Sequence, residues 1–474
     1  MPLVEPTTAA GADEALRTQP IARVVSGWGG VGSAAVRILR PARLCAVDDI
    51  VPALTSRQDT QARGAIARGM GRSYGDAAQR DGGVVVDTTA LDAFEVDHAA
   101  GTVRAQAGLT VGRLLEALAP HGWVLPVVPG TQHVTVGGAI AADIHGKNHA
   151  AVGTFGSTVS ALGLLTASGE VRELGPQRDS ELFAATIGGM GLTGVIVWAD
   201  IRLRRLDGPM LSVDSDRVER LDDALALLDG LGGEYRVAWL DLLGPVPVRG
   251  IVTRAQHANG TGARAGSGAR AGSTTVAARL TVPERWPGGL LRPGLVRAHN
   301  AYRFLRSPRR QTAHLQSYGA HMFPLDGLAA WPRLYGAAGL VQYQLVVPKG
   351  QERVLEQVIA AVRRSAAPCY LAVLKDFGPA GVAPLSFPLA GWTLALDMPA
   401  DAPGLAALLD ACDAWVAGAG GRVYLAKDGR LRPDVLAAMY PRLSQWRAVR
   451  DRHDPQGLWV SDLAVRTGLV TAPA

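Results

Sequence analysis

The chain has 474 residues, of which 48% are apolar and 19% are charged, and its formal net charge is +6. This composition is typical of a globular protein of two or three domains and excludes a disordered chain. Cys45, Cys369 and Cys412 are too far apart in the sequence to indicate a disulfide framework or a paired-cysteine metal site. The basic residues are scattered along the chain, so we expect no nucleic-acid partner.

Short strands and glycine-rich turns dominate the first part of the chain and predict an α+β domain over residues 20–205. We expect the polar residues 1–19 to be disordered. The apolar run Val84–Val86 predicts a strand. Thr110–Leu118 predicts a helix, because its apolar residues recur at three- and four-residue spacing and Thr110 can cap its start.

A second α+β domain is predicted over residues 206–421, where strands such as Val341–Val347 alternate with helices such as Glu352–Arg363. Residues 255–279 have low complexity and predict a flexible surface loop. Residues 422–468 form a C-terminal segment. The start of the chain lacks the basic and apolar regions of a signal peptide. Proline or glycine interrupts every long uncharged stretch, so we expect no membrane-spanning helix.

Lysine is rare in this chain. Only four of the 48 basic residues are lysines, namely Lys147, Lys349, Lys375 and Lys427. Arginine stays charged in proteins, whereas a buried lysine can lose its proton. Each lysine is therefore a candidate for a function that needs a compact, titratable ammonium.

Two glycine-rich segments are candidates for a ligand site. Arg68–Gln79 has three glycines between two predicted strands, and such a turn can aim successive backbone N–H groups at a diphosphate. An ordinary tight hairpin is the alternative. Pro126–Gly156 crowds further glycines around His133, His145 and His149. No carboxylate follows these histidines at a ligand spacing, so we expect no metal.

The alternating segment Leu340–Pro348 places Gln342 and Gln344 on the same face of a predicted strand. Two amides on one face indicate either an edge that faces water or a hydrogen-bonding wall of a pocket. The sequence pattern alone leaves both alternatives open.

Together these segments resemble a known family of flavoproteins. The glycine turn, the TVGGAIAADIHGKNH run and GGMGLTGVI resemble the FAD-binding domain of the vanillyl-alcohol-oxidase/p-cresol-methylhydroxylase family. GRSYGDAAQ, DIHGKNH, LVQYQ, YLAKD and the FGP…PLSFP segment are more closely similar to the oxidase subunits of decaprenylphosphoryl-β-D-ribose 2-epimerases. This resemblance covers about residues 20–468.

The resemblance implies an α+β fold with a two-subdomain FAD-binding domain, an inserted α+β substrate domain and a C-terminal segment that returns to the FAD-binding domain. Arg72 stands where many relatives carry the histidine that bonds FAD covalently, so we expect non-covalent FAD. The cofactor-binding positions that the resemblance implies are Ala67, Arg68, Gly69, Met70, Gly71, Arg72, Ser73, Tyr74, Gly75, Asp76, Ala77, Gly130, Thr135, Val136, Gly137, Gly138, His145, Gly146, Lys147, Asn148, Ile196 and Tyr424.

The implied reaction is oxidation of the ribose 2-hydroxyl of decaprenylphosphoryl-β-D-ribose, with hydride transfer to the flavin, as a step toward cell-wall arabinan. Lys427, His145 and Tyr74 are the expected catalytic residues. Lys427 either stabilises a developing alkoxide or reduced-flavin anion as an ammonium or acts as the base, and His145 is the competing base. Ala395 and Thr393 stand where relatives carry a cysteine and an asparagine. The substrate-binding positions that the resemblance implies are Lys147, Gln342, Gln344, Lys375, Phe377, Thr393 and Ala395.

The resemblance also implies partners and a location. The lipid substrate requires peripheral membrane contact, for which the arginines of Tyr302–Arg310 are candidates. A separate NADH-dependent reductase would reduce the 2-keto product, and a quinone or O2 would accept the electrons. We expect a membrane-associated place in the cell envelope, on the periplasmic side, with the cytoplasm as the alternative. A soluble sugar, polyol or aldonolactone oxidase and a non-catalytic lipid-binding scaffold are the competing functions.

Overall fold

The computed structural model describes residues 16–55, 63–206, 208–230, 232–258, 273–284 and 291–470. The first strand, β1, begins at Leu16, so the predicted disordered N-terminus is too long by four residues. Residues 1–15, which complete that prediction, lie outside the described residues. None of the helices within the described ranges is long and apolar enough to cross a bilayer.

The first sheet has four strands in the order β1-β2-β4-β3, in which β4 pairs in parallel with both β2 and β3, and β1 pairs antiparallel with β2. The C-terminal part of the chain joins this sheet, because Ala65 N–H donates to Leu458 O at 2.8 Å and Val460 N–H donates to Ala65 O at 2.8 Å. The elements of this layer are β1 (Leu16–Val25), β2 (Ala34–Pro41), α1 (Ile50–Thr55), β3 (Ala65–Arg68) and β4 (Val84–Asp87).

The second sheet is antiparallel, with the order β5-β6-β10-β8-β9. Thr110 accepts a hydrogen bond from the Arg113 N–H and caps the helix that the sequence predicts there. The elements around this sheet are β5 (Phe94–Asp97), β6 (Thr102–Gln106), α2 (Val111–Leu118), β7 (Trp123–Val124), α3 (Val136–Ala141), α4 (His149–Val152), β8 (Val159–Leu165), β9 (Val171–Leu174), α5 (Ser180–Thr186), β10 (Val195–Arg202) and β11 (Arg204–Arg205).

An eight-stranded antiparallel sheet follows, with the order β16-β12-β14-β13-β19-β20-β18-β21. Its elements are β12 (Met210–Val218), α6 (Leu221–Asp229), β13 (Tyr235–Asp241), β14 (Arg249–His257), β15 (Leu280–Thr281), α7 (Pro293–Arg306), β16 (Arg310–Ser317), α8 (Tyr318–Met322), β17 (Leu328–Ala329), β18 (Leu340–Pro348), α9 (Glu352–Arg364), β19 (Leu371–Phe377), β20 (Gly391–Pro399), α10 (Leu405–Gly418) and β21 (Arg422–Val423).

The register of the large sheet decides which side chains share a face, because directly paired residues point to the same side. Gln342 pairs with Asp397, and Lys375 pairs with Thr393. Trp239 pairs with both Val373 and Ile251. On one face of the sheet, the side chains of β18, β20 and the end of β19 are therefore mainly polar. The side chains of β13, β14 and the start of β19 on the same face are mainly apolar. The side chains that share this face include Gln342, Gln344, Thr393, Ala395, Asp397, Leu371, Val373, Lys375, Val237, Trp239, Ile251 and Thr253.

Three further helices close the chain: α11 (Pro433–Met439), α12 (Leu443–His453) and α13 (Asp462–Arg466). Helix α11 packs on α10, α12 packs on α5, and α13 lies beside the turn that carries Asp76. Trp446 Nε1–H donates to Ala185 O at 2.9 Å, and Arg466 forms an ion pair with Asp76 at 2.8 Å. The domain boundaries near 206 and 422 stay a prediction.

The predicted low-complexity loop 255–279 is wrong at both of its ends. Ala255 and its two successors form the end of β14, because they continue its pairing with β12. Thr274 is buried, and Val276 exchanges two hydrogen bonds with the Gln132 side chain. Residues 259–272 lie outside the described residues. The low-complexity sequence thus contains the last residues of β14 and a second stretch, around Thr274 and Val276, that packs against the rest of the protein.

Candidate active site

A cavity of about 510 Å³ lies between the glycine-rich turns of the first part and the mixed face of the eight-stranded sheet. Most of the sequence-predicted site residues line it. The predicted residues on its wall are Ala67, Arg68, Gly69, Met70, Gly71, Arg72, Ser73, Tyr74, Ala77, Gly130, Thr135, Gly137, Gly138, His145, Gly146, Lys147, Ile196, Gln342, Gln344, Lys375, Tyr424 and Lys427.

The first glycine turn forms one wall from its backbone. A Cβ at Gly69 would overlap the Thr135 side chain, and Gly71 has a φ of +60°, which L side chains rarely adopt. The N–H groups of residues 70–73 find no hydrogen-bond partner within the described ranges. Successive free N–H groups in such a turn are a binding site for an anion. The turn can therefore hold a diphosphate.

A backbone hydrogen bond joins this turn to the C-terminal part of the chain. Tyr74 N–H donates to Ala426 O at 3.0 Å. As a result, the Lys427 ammonium lies 3.9 Å from the centre of the Tyr74 ring. On the other side of the turn, the Arg72 guanidinium stacks on Trp28 at 3.6 Å. Two predicted catalytic residues that are 353 positions apart in sequence thus meet at one point of the cavity.

Three of the four lysines of the chain line this cavity. Burial lowers the pKa of Lys427 to about 7, although the nearby Asp397 opposes this shift. Burial also lowers the pKa of Lys147 to about 7 and that of Lys375 to about 8. Each ammonium can therefore lose its proton near neutral pH or bind an anion that restores its charge. Lys349 lies elsewhere and pairs with Asp229.

Lys147 has a local partner as well. Its Nζ donates to the backbone carbonyl of His321 and, at 3.4 Å, to that of Met322. These carbonyls belong to the short helix α8, which forms part of the cavity wall. Lys147 thus ties the second glycine-rich segment to the large sheet while its ammonium borders the cavity.

His145 is buried against three aromatic rings, those of Phe377, Phe387 and Tyr424. Burial lowers the pKa of its imidazole well below the ordinary value, and the charge of Lys375 adds to this effect. The Gln344 amide nitrogen lies 3.0 Å from His145 Nε2. Because an amide NH2 can only donate, Nε2 accepts this hydrogen bond, while Nδ1 has no partner within the described ranges. His145 is therefore a neutral group whose accepting nitrogen is already engaged.

Some predicted residues lie behind the cavity wall. Thr393 accepts a hydrogen bond from Gln344 at 3.1 Å, and Phe377 packs under His145. Asp76 pairs with Arg466, and Asn148 donates to Pro126 O and Glu234. The predicted residues that the structure places off the wall are Gly75, Asp76, Val136, Asn148, Phe377, Thr393 and Ala395.

Asp397 is a residue that the sequence reasoning missed. It is buried and accepts a hydrogen bond from Gln342 Nε2 at 2.5 Å, while its second oxygen has no partner within the described ranges. Burial raises its pKa to about 6, and the positive charge of Lys427 opposes this rise. The signal was present in GWTLALDMP, where Asp397 is the one charged residue of the strand.

Trp239 and Ile251 were missed for another reason. They line the end of the cavity away from Lys427 and His145, together with Leu371. Apolar residues in strands are usually core residues, and nothing in their local sequence distinguishes these from the rest. Only the register of the sheet brings them to the cavity.

Two family models match parts of the chain that line the cavity. A model described as an FAD binding domain matches residues 45–175, which include both glycine-rich segments. A model for D-arabinono-1,4-lactone oxidase matches residues 396–467, which include Lys427. This match confirms FAD as the cofactor, and the free N–H groups of residues 70–73 fit its diphosphate. Its non-covalent attachment stays a prediction.

Relatives cover different shares of the chain. Decaprenylphosphoryl-β-D-ribose oxidase of Mycolicibacterium smegmatis is 39% identical over 94% of this chain and 97% of its own length. Alditol oxidase of a Streptomyces species is 29% identical over 36% of the chain and 40% of its own length. Human Δ(24)-sterol reductase is 34% identical over 24% of the chain and 22% of its own length. The first match spans both walls, so the chain belongs to the decaprenylphosphoryl-β-D-ribose oxidase family of FAD-dependent oxidoreductases.

Proposed function

We propose that this protein oxidises the 2-hydroxyl of decaprenylphosphoryl-β-D-ribose to the 2-keto compound, the first half of an epimerisation to the arabinose lipid. The observation that carries the proposal is the change from polar to apolar along the cavity face of the large sheet. Lys375 and Gln344 lie at the polar end, and Trp239 and Ile251 lie at the apolar end. The relationship to the M. smegmatis oxidase over nearly the whole chain supports it.

The two ends of the cavity match the two ends of a lipid-linked sugar phosphate. The sugar hydroxyls need hydrogen-bonding amides, and the phosphate needs a cation, which Lys375 and Lys147 can supply. The first isoprene units need an apolar surface, which a free sugar or polyol would leave exposed to water. A soluble polyol oxidase has no use for the apolar end, so the amphiphile is the better substrate.

FAD, when bound, accepts the hydride from the substrate carbon. The residues that would hold it are those of the two glycine-rich segments, with the N–H groups of residues 70–73 on its diphosphate. Arg72 cannot form the covalent bond that a histidine forms in many relatives, so the cofactor is held by hydrogen bonds and packing. The Tyr424 hydroxyl donates to Ala142 O at 2.8 Å and keeps these segments against the cavity.

Lys427 takes the proton of the 2-hydroxyl at its Nζ. Its lowered pKa of about 7 makes the neutral amine available near neutral pH. His145 is the weaker candidate, because Gln344 already donates to its Nε2. We assign His145 the task of orienting Gln344 toward the sugar. Tyr74 packs against the Lys427 side chain and limits its motion.

The proposed reaction requires further participants. The 2-keto product has to be reduced to give the arabinose epimer, so a separate NADH-dependent reductase is the expected partner. The reduced cofactor has to be reoxidised, by a quinone or by O2. The substrate is embedded in a membrane, so the protein contacts that membrane peripherally and works in the cell envelope.

The test is an anaerobic visible spectrum of the purified protein, recorded before and after a polyprenylphosphoryl ribose is added in detergent micelles. We expect the yellow flavin band to bleach on mixing, and acid precipitation to release the FAD into solution. Bleaching by a free polyol but not by the lipid would replace the proposal with a soluble polyol oxidase. A colourless protein that takes up no added FAD would support the non-catalytic scaffold.

A further inference from the structure

Helix α7 and the strand after it carry an unusual concentration of positive charge. Residues 291–317 contain six arginines and no aspartate or glutamate. Arg310 lies 3.7 Å from Asp216. No carboxylate within the described ranges forms an ion pair with Arg297, Arg306 or Arg309, all of which are exposed. These arginines are therefore available to an external anionic partner.

The same helix exposes large apolar side chains. Leu295, Tyr302 and Leu305 are 56%, 60% and 68% exposed, although only Asn300 and Phe304 of the helix are buried. Leu315 on the neighbouring β16 is 52% exposed as well. Single exposed apolar residues are common on protein surfaces, but here three of them alternate with arginines on one helix of 14 residues. This combination is typical of helices that lie in a membrane interface.

Helix α7 also borders the apolar end of the cavity. Arg303 lines the cavity, and its guanidinium lies 4.3 Å from the ring of Trp239. On the next position, Phe304 packs with Trp239, Ile251 and Leu371. The helix therefore covers the apolar end with the side that carries Phe304. It presents Leu295, Tyr302, Leu305 and Arg306 to the exterior with the other side.

We propose that α7 and β16 dock this protein on an acidic lipid bilayer, which places the apolar end of the cavity on the side of the protein that faces the lipid. The occupant is a bilayer rather than a protein, because the surface combines unpaired arginines with scattered aliphatic side chains over a helix and a strand end. Lipid delivery to the cavity rests on the proposed function, whereas the bilayer contact itself does not.

The test is co-sedimentation of the holoenzyme with phosphatidylcholine vesicles, with and without phosphatidylglycerol. We expect binding only to the acidic vesicles, and we expect added salt to weaken it. The double variant Arg306→Glu, Arg309→Glu should bind on the order of 30-fold more weakly, because each arginine near an acidic surface contributes to binding. The matched control is Arg353→Glu, Arg364→Glu, which changes the same net charge on the exposed side of α9 and should bind normally.

The apolar contribution is tested separately with Leu295→Ser, Leu305→Ser, which should also weaken binding to acidic vesicles. Bleaching of the flavin by the lipid in micelles should persist in all these variants, so it reports on the proposed function independently. Equal loss in both charge variants would mean that only net charge matters and would overturn the proposal. Unchanged binding of the arginine double variant would also overturn the proposal. A wild-type protein that does not bind acidic vesicles would overturn it as well. If the arginine variant also loses flavin bleaching, the binding of the Leu295→Ser, Leu305→Ser variant to acidic vesicles decides the outcome instead. Unchanged binding of that variant would overturn the proposal.

Discussion

The two walls of the cavity are built in different ways. The wall made by residues 69–73 binds through its backbone, and its glycines are needed for close approach and for a positive φ. The wall made by the large sheet binds through side chains whose alternation alone decides which ones face the cavity. The backbone wall suits a cofactor shared by many enzymes, whereas the side-chain wall can change its specificity residue by residue.

The largest expected effect belongs to the side-chain wall. Lys427→Met keeps the length of the side chain but removes the amine that we propose takes the proton, so the rate of flavin reduction should fall by about 10²- to 10⁴-fold. Stopped-flow reduction by the lipid measures this rate. The flavin content should stay at the wild-type level, and a variant that is fully active would remove Lys427 from the mechanism.

A substitution in the backbone wall should lower the affinity for FAD, whereas Lys427→Met should leave the flavin content unchanged. Gly69→Ala places a Cβ against Thr135, so the turn has to shift and FAD affinity should fall by up to about 100-fold. Flavin fluorescence during titration of the apoprotein measures this affinity. Gly418→Ala is the control, because its Cβ meets no atom within 4 Å. Equal flavin binding in both variants would contradict the diphosphate assignment.

The pH dependence separates two roles of Lys427. As a base it must be neutral, so the rate of flavin reduction should rise about tenfold per pH unit below its pKa of about 7 and then level off. An ammonium that stabilises an alkoxide would give the reverse slope, with the rate falling above that pH. Reduction rates measured between pH 5 and 9 at constant ionic strength distinguish the two profiles.

The apolar end should influence only long substrates. Leu371→Ala removes apolar surface from this end, so the KM for a long polyprenyl substrate should rise by about tenfold. A short-chain analogue is the internal control and should keep its KM. An equal rise for both substrates would place the lipid elsewhere.

Asp397 should have the smallest effect. Its negative charge raises the pKa of Lys427, so Asp397→Asn should lower the midpoint of the pH profile by about half a unit. Loss of the hydrogen bond from Gln342 alone would change KM without moving this midpoint. The measurement is the pH profile of the variant beside that of the wild type.

The sequence predicted the backbone wall better than the side-chain wall. The glycine pattern is local, and the α+β fold, the FAD cofactor and the helix that Thr110 caps are confirmed. The alternation of Gln342 and Gln344 was visible too, but it left two alternatives open. The structure places both amides on the cavity wall rather than at a water-facing edge.

Contacts between distant strands could not be predicted from local patterns. Asp397 meets Gln342 only because β18 and β20 pair in one particular register. Trp239 reaches the cavity through its pairing with Val373, which is 134 positions away in sequence. The ends of the low-complexity loop were missed because composition does not report the strand pairing that continues to His257.

The hydrogen bond from Tyr74 N–H to Ala426 O has a consequence for protein engineering. The predicted boundaries of the domain that carries the large sheet lie near residues 206 and 422, so exchanging this domain between relatives creates two junctions. The first junction lies far along the chain from any reacting group. The second junction lies within a few residues of Lys427. The activity of a chimera will therefore depend chiefly on whether that junction preserves the hydrogen bond from Tyr74 N–H to Ala426 O.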